Sequence, residues 1–304
     1  NWGLIRAPHV ESYKGFVFAN MDPDAPPLEE YLGEVGRIGL SLIAEQGDME
    51  VVDGVQKYTI GCNWKLAVDN LFDWYHPQVS HASAFMVNFT PRRPGTTPRT
   101  NSNATPHLVM LGEYGHAISG PSYVEERDGE DSISDQSWRK RAEAMEELGP
   151  VGITSRGHPN IFPNLWVASG GTQLSLRLPK GPFKTEIWWF TILDKNLPND
   201  EWERMRKRAV QVFGPAGGLE QEDGENWDQS TRGTAGVIAR RYPLHFAMGL
   251  GHGEIVTSDS GSGHIETKIN EHAQLWTYRA WAEWMAAESW QELKEIHSRV
   301  PGNV

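Results

Sequence analysis

Cysteine is nearly absent from this chain, because Cys62 is its only cysteine among 304 residues. A single cysteine cannot build a disulfide framework, so we expect a protein of the reducing cytoplasm. It also cannot supply the paired thiolates that hold an iron–sulfur cluster. Since Cys62 directly precedes Asn63 and Trp64, we interpret it as a small buried structural residue.

Long apolar runs and an excess of positive charge are missing as well. No stretch approaches the roughly 20 apolar residues of a membrane span, and no signal peptide opens the chain, so we expect no membrane partner. The formal net charge of −12 argues against a nucleic-acid partner. A hydrophobic fraction of 38%, with 13 Trp, is enough for the sizeable core of a globular enzyme.

Two histidines, His76 and His81, form the most informative pattern of the chain. They are five residues apart, and Asp73 lies three residues before the first of them. A carboxylate-rich stretch at residues 220–225 could supply a further ligand. Two neutral imidazole nitrogens and one carboxylate oxygen make a facial set that suits Fe(II) and leaves neighbouring coordination positions open. Oxygen and a substrate could meet at such a metal.

The spacing alone is weak support, since a chain with 11 histidines can place two of them five apart by chance. A structural His and a surface His are the alternative. Residues five apart on a regular helix lie about 140° apart around its axis. Pro77 removes an N–H donor and clashes with the carbonyl of Asp73 if the helix stays regular. We therefore predict a break between the two histidines that turns His81 back toward His76.

Three segments of the chain resemble the large (alpha) subunit of the Rieske-type aromatic-ring-hydroxylating oxygenases. The family's iron-site segment is similar to NWKL at residues 63–66 and DNLFDWYHPQVSH at residues 69–81. Its carboxylate-ligand segment is similar to FGPAG at residues 213–217 and EQEDGENW at residues 220–227. The strand that leads from its Rieske domain into its catalytic domain is similar to YKGFVFAN at residues 13–20.

The resemblance implies a ligand set and two catalytic residues. It places the Fe(II) ligands at His76, His81 and Asp223. It makes Asp73 a bridge to an iron–sulfur centre on a neighbouring subunit, and it puts Asn70 near the family's site asparagine. From the residues alone, Asp73 could instead be a hydrogen-bond partner that orients His76.

The chain departs from the family at its iron–sulfur cluster. The family builds its [2Fe-2S] cluster from a Cys-x-His and a Cys-x-x-His pair, which one cysteine cannot supply. We therefore expect residues 1–30 to be a connecting segment from a missing Rieske domain, and residues 31–304 to be the catalytic iron-binding domain. The resemblance also implies a ferredoxin or reductase as electron donor and a homotrimer, with or without small (beta) subunits.

Asp223 has competing interpretations. Carboxylate runs such as residues 220–225 are usually solvated. An EF-hand calcium loop is excluded, because Gly224 at the sixth position would place Leu219 at the first ligand position. Asp223 is preferred to Glu222 because its offset from Phe213 matches the family segment. We expect a helix that crosses the cavity to deliver this ligand, with residues 199–213 leading into it.

The substrate pocket is less well specified by the sequence. The candidate residues for the pocket wall are Phe72, Val79, His158, Phe162, Phe213 and Leu219. Each of them could instead be an ordinary core residue. The short spacing from Asn70 to His76 resembles the branch that acts on aromatic acids. The GPAG stretch resembles the branch that acts on bicyclic hydrocarbons, so the two signals disagree about the substrate.

Local patterns predict a mixture of helices and strands. Predicted helices lie at residues 28–32, 63–75, 135–148, 199–213 and 274–297. Predicted strands lie at residues 51–60, 108–111, 117–125, 161–168, 172–178 and 184–193, and residues 90–105 are predicted to be a loop. A meander of strands between helices favours an α+β class. The family's helix-grip type of antiparallel sheet, with flanking helices around a mononuclear iron site, is implied by the resemblance.

Three functions are compatible with these features. The first is O2-dependent hydroxylation of an aromatic ring, most simply cis-dihydroxylation, at a non-heme Fe(II). The second is a helix-grip binding module that holds an apolar ligand without redox activity. The third is a zinc hydrolase, which the absence of an HExxH helix disfavours. Iron content would separate the first from the second.

Overall fold

The computed structural model describes residues 2–87, 105–123, 135–259 and 262–297. Its helices are α1 (Leu28–Ala44), α2 (Trp64–Asp69), α3 (Pro77–Ser80), α4 (Ala82–Met86), α5 (Ala142–Gly152), α6 (Asn199–Val212), α7 (Gly218–Thr234), α8 (His272–Ala286) and α9 (Trp290–His297). Its strands are β1 (His9–Tyr13), β2 (Phe16–Asn20), β3 (Met49–Val51), β4 (Gln56–Ile60), β5 (His107–Leu111), β6 (Ala117–Pro121), β7 (His158–Ile161), β8 (Leu165–Ala168), β9 (Gln173–Pro179), β10 (Thr185–Asp194), β11 (Ile255–Thr257) and β12 (Gly263–Thr267). Within these ranges, no helix has the length and apolar character needed to cross a membrane.

A ten-stranded antiparallel sheet organises the fold. Its order is β11-β12-β5-β6-β7-β8-β9-β10-β3, and β4 also pairs with β10. Most neighbouring strands follow one another in the sequence, as in a meander. A separate hairpin of β1 and β2 lies outside this sheet. The predicted α+β class, an antiparallel sheet with flanking helices, is confirmed.

The two faces of the sheet carry different cores, because successive side chains of a strand point to opposite faces. In β5, Leu108 and Met110 pack with residues of α1 and α5. Val109 and Leu111 point the other way and join a core that includes Trp166, Trp189 and residues of α2, α7 and α8. The candidate metal ligands lie on the side of this second core.

Three predicted elements are divided in two by the structure. The predicted strand at residues 51–60 is split into β3 and β4, and Gly54, with φ +99°, lies between them. The predicted strand at residues 161–168 becomes β7 and β8, since Pro163 cannot donate to a ladder. The predicted final helix becomes α8 and α9, because Ala287 adopts extended backbone angles.

Other bounds also differ from the predictions. Helix α1 continues to Ala44, with a kink at Gly33 (φ +54°) near the point where the prediction ended it. The helix predicted at residues 63–75 ends at Asp69. The helix predicted at residues 135–148 is a 3₁₀ turn, Ser137–Lys140, followed by α5. The predicted loop at residues 90–105 lies outside the described residues, except for its last residue.

Candidate metal centre

His76 and His81 lie at the two ends of one helical turn, α3. The Oδ1 atom of Asp73 accepts hydrogen bonds from the backbone N–H groups of Tyr75 at 3.2 Å and His76 at 3.0 Å, which fixes the approach to this turn. Pro77 occupies the first position of α3, where its missing N–H is not needed. The interruption therefore lies before His76, between α2 and α3, and the prediction that it lies between the histidines was wrong. The two imidazole rings are 5.1 Å apart.

The carboxylate run at residues 220–225 lies in a helix, α7, and is not a solvated loop. Glu220, Asp223 and Trp227 are buried, and their spacing of three and four residues puts them on one face. Gly224 allows this face to approach the sheet, because an added Cβ would lie 2.9 Å from Cδ1 of Ile60. A helix thus delivers Asp223 to the cavity, and α6 leads into it as predicted.

Three potential ligand atoms converge at this site. The Nε2 atoms of His76 and His81 lie 3.3 Å and 3.2 Å from Oδ1 of Asp223. All three atoms lie within 4.8 Å of one another, and His81 and Asp223 are buried. Bonds of about 2.1 Å from a metal to His nitrogen and Asp oxygen, at right angles, separate the ligand atoms by about 3 Å. The spacing in this chain is close to that value.

The charges of the site depend on the proximity of these three side chains. Burial would lower the pKa of His76, but Asp223 and Asp73 raise it to about 10. Burial would likewise lower the pKa of His81, which Asp223 and Glu222 raise. Burial would raise the pKa of Asp223, but the two histidines lower it to about 2. Without a metal, the site therefore favours a protonated His76 beside an ionised Asp223, so a metal ion that binds Nε2 of His76 must displace a proton.

Each histidine donates from its other ring nitrogen to a fixed acceptor. Nδ1 of His76 donates to the backbone carbonyl of Asp73. Nδ1 of His81 donates to Oε2 of Glu222 at 2.7 Å, and the hydroxyl of Ser83 donates to the other oxygen of Glu222 at 2.6 Å. These bonds leave both Nε2 atoms directed to Asp223. Sequence reasoning rejected Glu222 as a ligand and did not anticipate that it orients His81.

A cavity of about 260 Å³ opens beside these ligands. The cavity is lined by the three ligands and by five other residues predicted for the site: Asn70, Asp73, His158, Phe213 and Leu219. Trp166 and Trp74 also line it and were not among the predicted wall residues. Their indole rings lie 4.8 Å and 4.5 Å from the His158 ring. Nothing in the local sequence distinguishes a Trp that lines a cavity from a Trp that packs in the core.

Three predicted wall residues do not line the cavity. Phe72 is fully buried in the core between α2 and the sheet. Val79 is 80% exposed, because it lies on the outer side of the α3 turn. Phe162 packs against Trp284 of α8, with the two rings 5.4 Å apart. The sequence marks all three as hydrophobic, but only the path of the backbone determines which apolar side chains face the cavity.

His158 is held as a neutral donor at the cavity wall. Its Nδ1 donates to the carbonyl of Leu71 at 3.0 Å, which ties β7 to the segment before the histidine ligands. Burial lowers the pKa of His158 to about 3, although the hydrogen bond to the Leu71 carbonyl opposes the shift. The side chain is therefore uncharged at neutral pH.

A buried arginine behind the cavity was also missed from the sequence. Arg177 of β9 is fully buried, and its guanidinium lies 4.7 Å from the Trp166 ring and 5.5 Å from the Trp227 ring. None of its side-chain nitrogens has a hydrogen-bond partner within the described ranges. Burial lowers the pKa of Arg177 to about 9, while Asp223 opposes the shift. The indole faces are thus the principal contacts of this cation.

Comparison with known proteins identifies the family. Residues 48–287 match the family described as ring hydroxylating alpha subunit (catalytic domain). The chain belongs to this family. It is 30% identical over 313 residues to biphenyl 2,3-dioxygenase subunit alpha of Rhodococcus jostii (strain RHA1), an alignment that covers 96% of the chain and 65% of that relative. It is 29% identical to benzene 1,2-dioxygenase subunit alpha of Pseudomonas putida, with 96% and 67% covered.

Solved structures of the ring-hydroxylating family share the fold. A naphthalene 1,2-dioxygenase with indole bound in its active site has a TM-score of 0.79 and 25% identity, and the match covers 97% of the chain and 68% of that protein. The naphthalene 1,2-dioxygenase from Rhodococcus sp. bound to indole has a TM-score of 0.72 and 28% identity, with 95% and 68% covered. The chain thus spans about two thirds of its relatives.

The donor set of this chain fits the iron site that the family implies. Oδ1 of Asp223 is buried and makes no hydrogen bond within the described residues, although it lies between two imidazole nitrogens. A metal ion at this position would bind the carboxylate oxygen directly and take the place of the proton on His76. Two imidazoles and one carboxylate are the ligand types of a non-heme Fe(II) centre.

Proposed function

We propose that this chain is the catalytic domain of an O2-dependent aromatic-ring hydroxylase, and that His76, His81 and Asp223 hold one Fe(II). The observation that carries this proposal is the buried set of two Nε2 atoms around one oxygen of Asp223. Bound Fe(II) would supply open coordination positions for O2 beside the substrate ring. The reaction is most simply a cis-dihydroxylation, which adds two oxygen atoms, two electrons and two protons to the arene.

The protein's own residues would orient the metal ligands and hold the ring. The Asp73 carbonyl and the Glu222 carboxylate fix the tautomers of His76 and His81, so that Nε2 of each ring is the ligand atom. Trp166, Phe213 and Leu219 offer apolar walls that displace water from an aromatic ring. Asn70 lines the same cavity, and its amide is available to position the substrate.

Electrons would arrive from outside this chain. The single Cys62 is buried and cannot hold a [2Fe-2S] cluster. We propose that a Rieske cluster on a neighbouring subunit donates through Asp73, and that a ferredoxin and reductase reduce the cluster. Donation between subunits requires a head-to-tail ring, most simply a homotrimer, with or without small subunits. Residues 1–30 would connect the two kinds of domain.

The proposed substrate class is an aromatic compound. The relatives are named for biphenyl, benzene and naphthalene, and the aromatic residues of this cavity suit a planar ring. We propose the cytoplasm as the compartment, since a chain with one buried cysteine needs no oxidising environment.

A peroxide experiment tests the proposed activity without the redox partners. The iron-loaded chain should not turn over biphenyl with NADH and a reductase, because it has no cluster to pass electrons to the site. Hydrogen peroxide supplies oxygen and electrons together, so it should give a single turnover to a dihydrodiol, detected by mass spectrometry. Sustained NADH-driven turnover, or no product with peroxide at full iron loading, would contradict the proposal.

The alternative is a binding module that takes up an apolar ligand and no metal. Its cavity would need apolar walls but no convergent ligand atoms. Three convergent metal-ligand atoms, with Asp223 buried beside two histidines, would be costly in a module that binds no metal. Their presence favours the metal-dependent function. Iron close to one per chain after anaerobic loading is the expected result, and its absence would favour the module.

A further inference from the structure

A buried arginine lines the cavity but belongs to none of the groups described so far. Arg208, on α6, is 6% exposed. Its Nε makes no hydrogen bond, and Arg208 forms no ion pair within the part of the chain that the structure describes. Burial, followed by repulsion from Arg204, lowers the pKa of Arg208 to about 10, which leaves the guanidinium charged at neutral pH. A buried charge without a partner is expensive unless a ligand neutralises it.

A second polar side chain without a partner lines the same cavity. Gln173, on β9, is 1% exposed, and neither its Oε1 nor its Nε2 makes a hydrogen bond within the described ranges. Since side chains of a strand alternate, Gln173 lies on the same face of β9 as Ser175 and Arg177. Two unpartnered polar groups, both more than nine-tenths buried, therefore line one cavity.

Charged side chains that line the cavity are negative at the metal centre and positive elsewhere. Asp73 and Asp223 are the carboxylates that line the cavity among the described residues, and both belong to the metal centre. Three arginines, Arg139, Arg156 and Arg208, line it as well. The nitrogens of Arg139 donate to the carbonyls of Ile153 and Ser155 and to the side-chain oxygen of Gln136.

Gln173 lies at some distance from the metal centre. The guanidinium of Arg177 lies 5.5 Å from the ring of Trp227, which is one turn from Asp223 on α7, so Arg177 marks the part of β9 near the ligands. Gln173 is four residues from Arg177 along the same strand, which separates their Cα atoms by about 13 Å. A substrate with its ring at the metal could therefore reach Gln173 only with a further group or a second ring.

We propose that the substrate is an aromatic carboxylate, whose carboxylate group binds Arg208 and Gln173 while its ring lies at the metal centre. The proposal rests on the proposed function and narrows its substrate class. A guanidinium offers two parallel N–H donors that match the two oxygens of a carboxylate, and Nε2 of Gln173 adds a neutral donor. A hydrocarbon, such as those that name the relatives, would leave both groups unpaired.

The test is a binding comparison on the chelator-treated chain, so that no metal can capture the carboxylate. The probes are biphenyl-4-carboxylate and biphenyl, measured by quenching of tryptophan fluorescence. The parent should bind the carboxylate at least about tenfold more tightly, since a hydrogen-bonded charge pair is worth about that much. Arg208→Gln should lose this preference and bind biphenyl within about threefold of the parent, a margin for indirect packing effects.

Arg206→Gln is the matched control, because Arg206 lies on the same helix and pairs with Glu203 outside the cavity. It should keep the preference of the parent. Gln173→Leu should reduce carboxylate binding and leave biphenyl binding unchanged. If Arg208→Gln does not fold, the comparison of Gln173→Leu with the parent tests the proposal. Equal binding of the two probes by the parent, or an unchanged preference in a folded Arg208→Gln, overturns the proposal.

Failure of this proposal is distinguishable from failure of the proposed function. A chain that prefers the carboxylate but takes up no iron retains the anion site and loses the oxygenase assignment. A chain that takes up iron and prefers biphenyl retains the oxygenase assignment and loses the aromatic-acid substrate.

Discussion

At the residue scale, the clearest addition to the sequence prediction is Glu222. It accepts from Nδ1 of His81 at 2.7 Å and is itself held by Ser83. Partners of this kind fix the orientation and basicity of a metal-binding imidazole, and their loss lowers metal affinity by about 10- to 100-fold. Glu222→Gln should therefore weaken Fe(II) binding by about that factor, measured by anaerobic titration.

The control for this change is Glu225→Gln on the same helix. Glu225 is exposed, and within the described residues its side chain accepts a hydrogen bond only from Gln229. This control should bind Fe(II) as the parent does. If Glu222→Gln also binds iron like the parent, the hydrogen bond to His81 does not tune the site.

His158 provides a prediction about pH. Burial lowers its folded-state pKa from 6.5 to about 3. Between these two values the unfolded chain binds more protons than the folded one, so stability rises with pH across this range and is lost as the pH falls below 6.5. The stability difference between the parent and His158→Gln should shrink from pH 7 to pH 4, by at most about 1.4 kcal/mol per pH unit. Urea unfolding measures it, and a difference independent of pH would show that His158 does not titrate as described.

At the element scale, the sequence predicted the kinds of element better than their ends. The β-rich runs at residues 172–178 and 184–193, at hairpin spacing, identified β9 and β10, because strand propensity and turn spacing are local properties. The carboxylate run of α7 looked solvated, since its burial depends on the distant histidines and on β4. Asp223 could be selected only through the family resemblance, which indicated neither the hydrogen bond from His81 to Glu222 nor a role for Arg208.

Close approach of β6 to Gly157, the residue before β7, provides a prediction at this scale. A Cβ added at Gly120 would lie 2.6 Å from both the Gly157 backbone and the Trp74 ring, and Gly120 has φ +150°. Gly120→Ala should destabilise the fold by about 1–3 kcal/mol through overpacking. Gly233→Ala in α7 is the control, because nothing lies within 4 Å of the added Cβ, and it should stabilise by up to about 1 kcal/mol. Equal unfolding midpoints in urea for Gly120→Ala and the parent would contradict the packing described for Trp74.

At the scale of the whole molecule, Asp73 connects this chain to its proposed electron donor. Its Oδ1 caps the turn before His76, and an asparagine can make the same bonds without the charge. In an assembly that includes the cluster domain, Asp73→Asn should keep iron and substrate binding but slow reoxidation of the reduced cluster by O2. Reoxidation at the parent rate would mean that Asp73 only supports His76.

The central claim is that His76, His81 and Asp223 together hold one Fe(II), and anaerobic iron loading tests it most directly. The parent chain should take up close to one Fe(II), and His81→Ala should take up almost none while keeping its circular dichroism spectrum. His252→Ala is the control, because His252 is exposed and lies outside the site, and it should bind iron like the parent. Full iron occupancy in a folded His81→Ala would contradict the account.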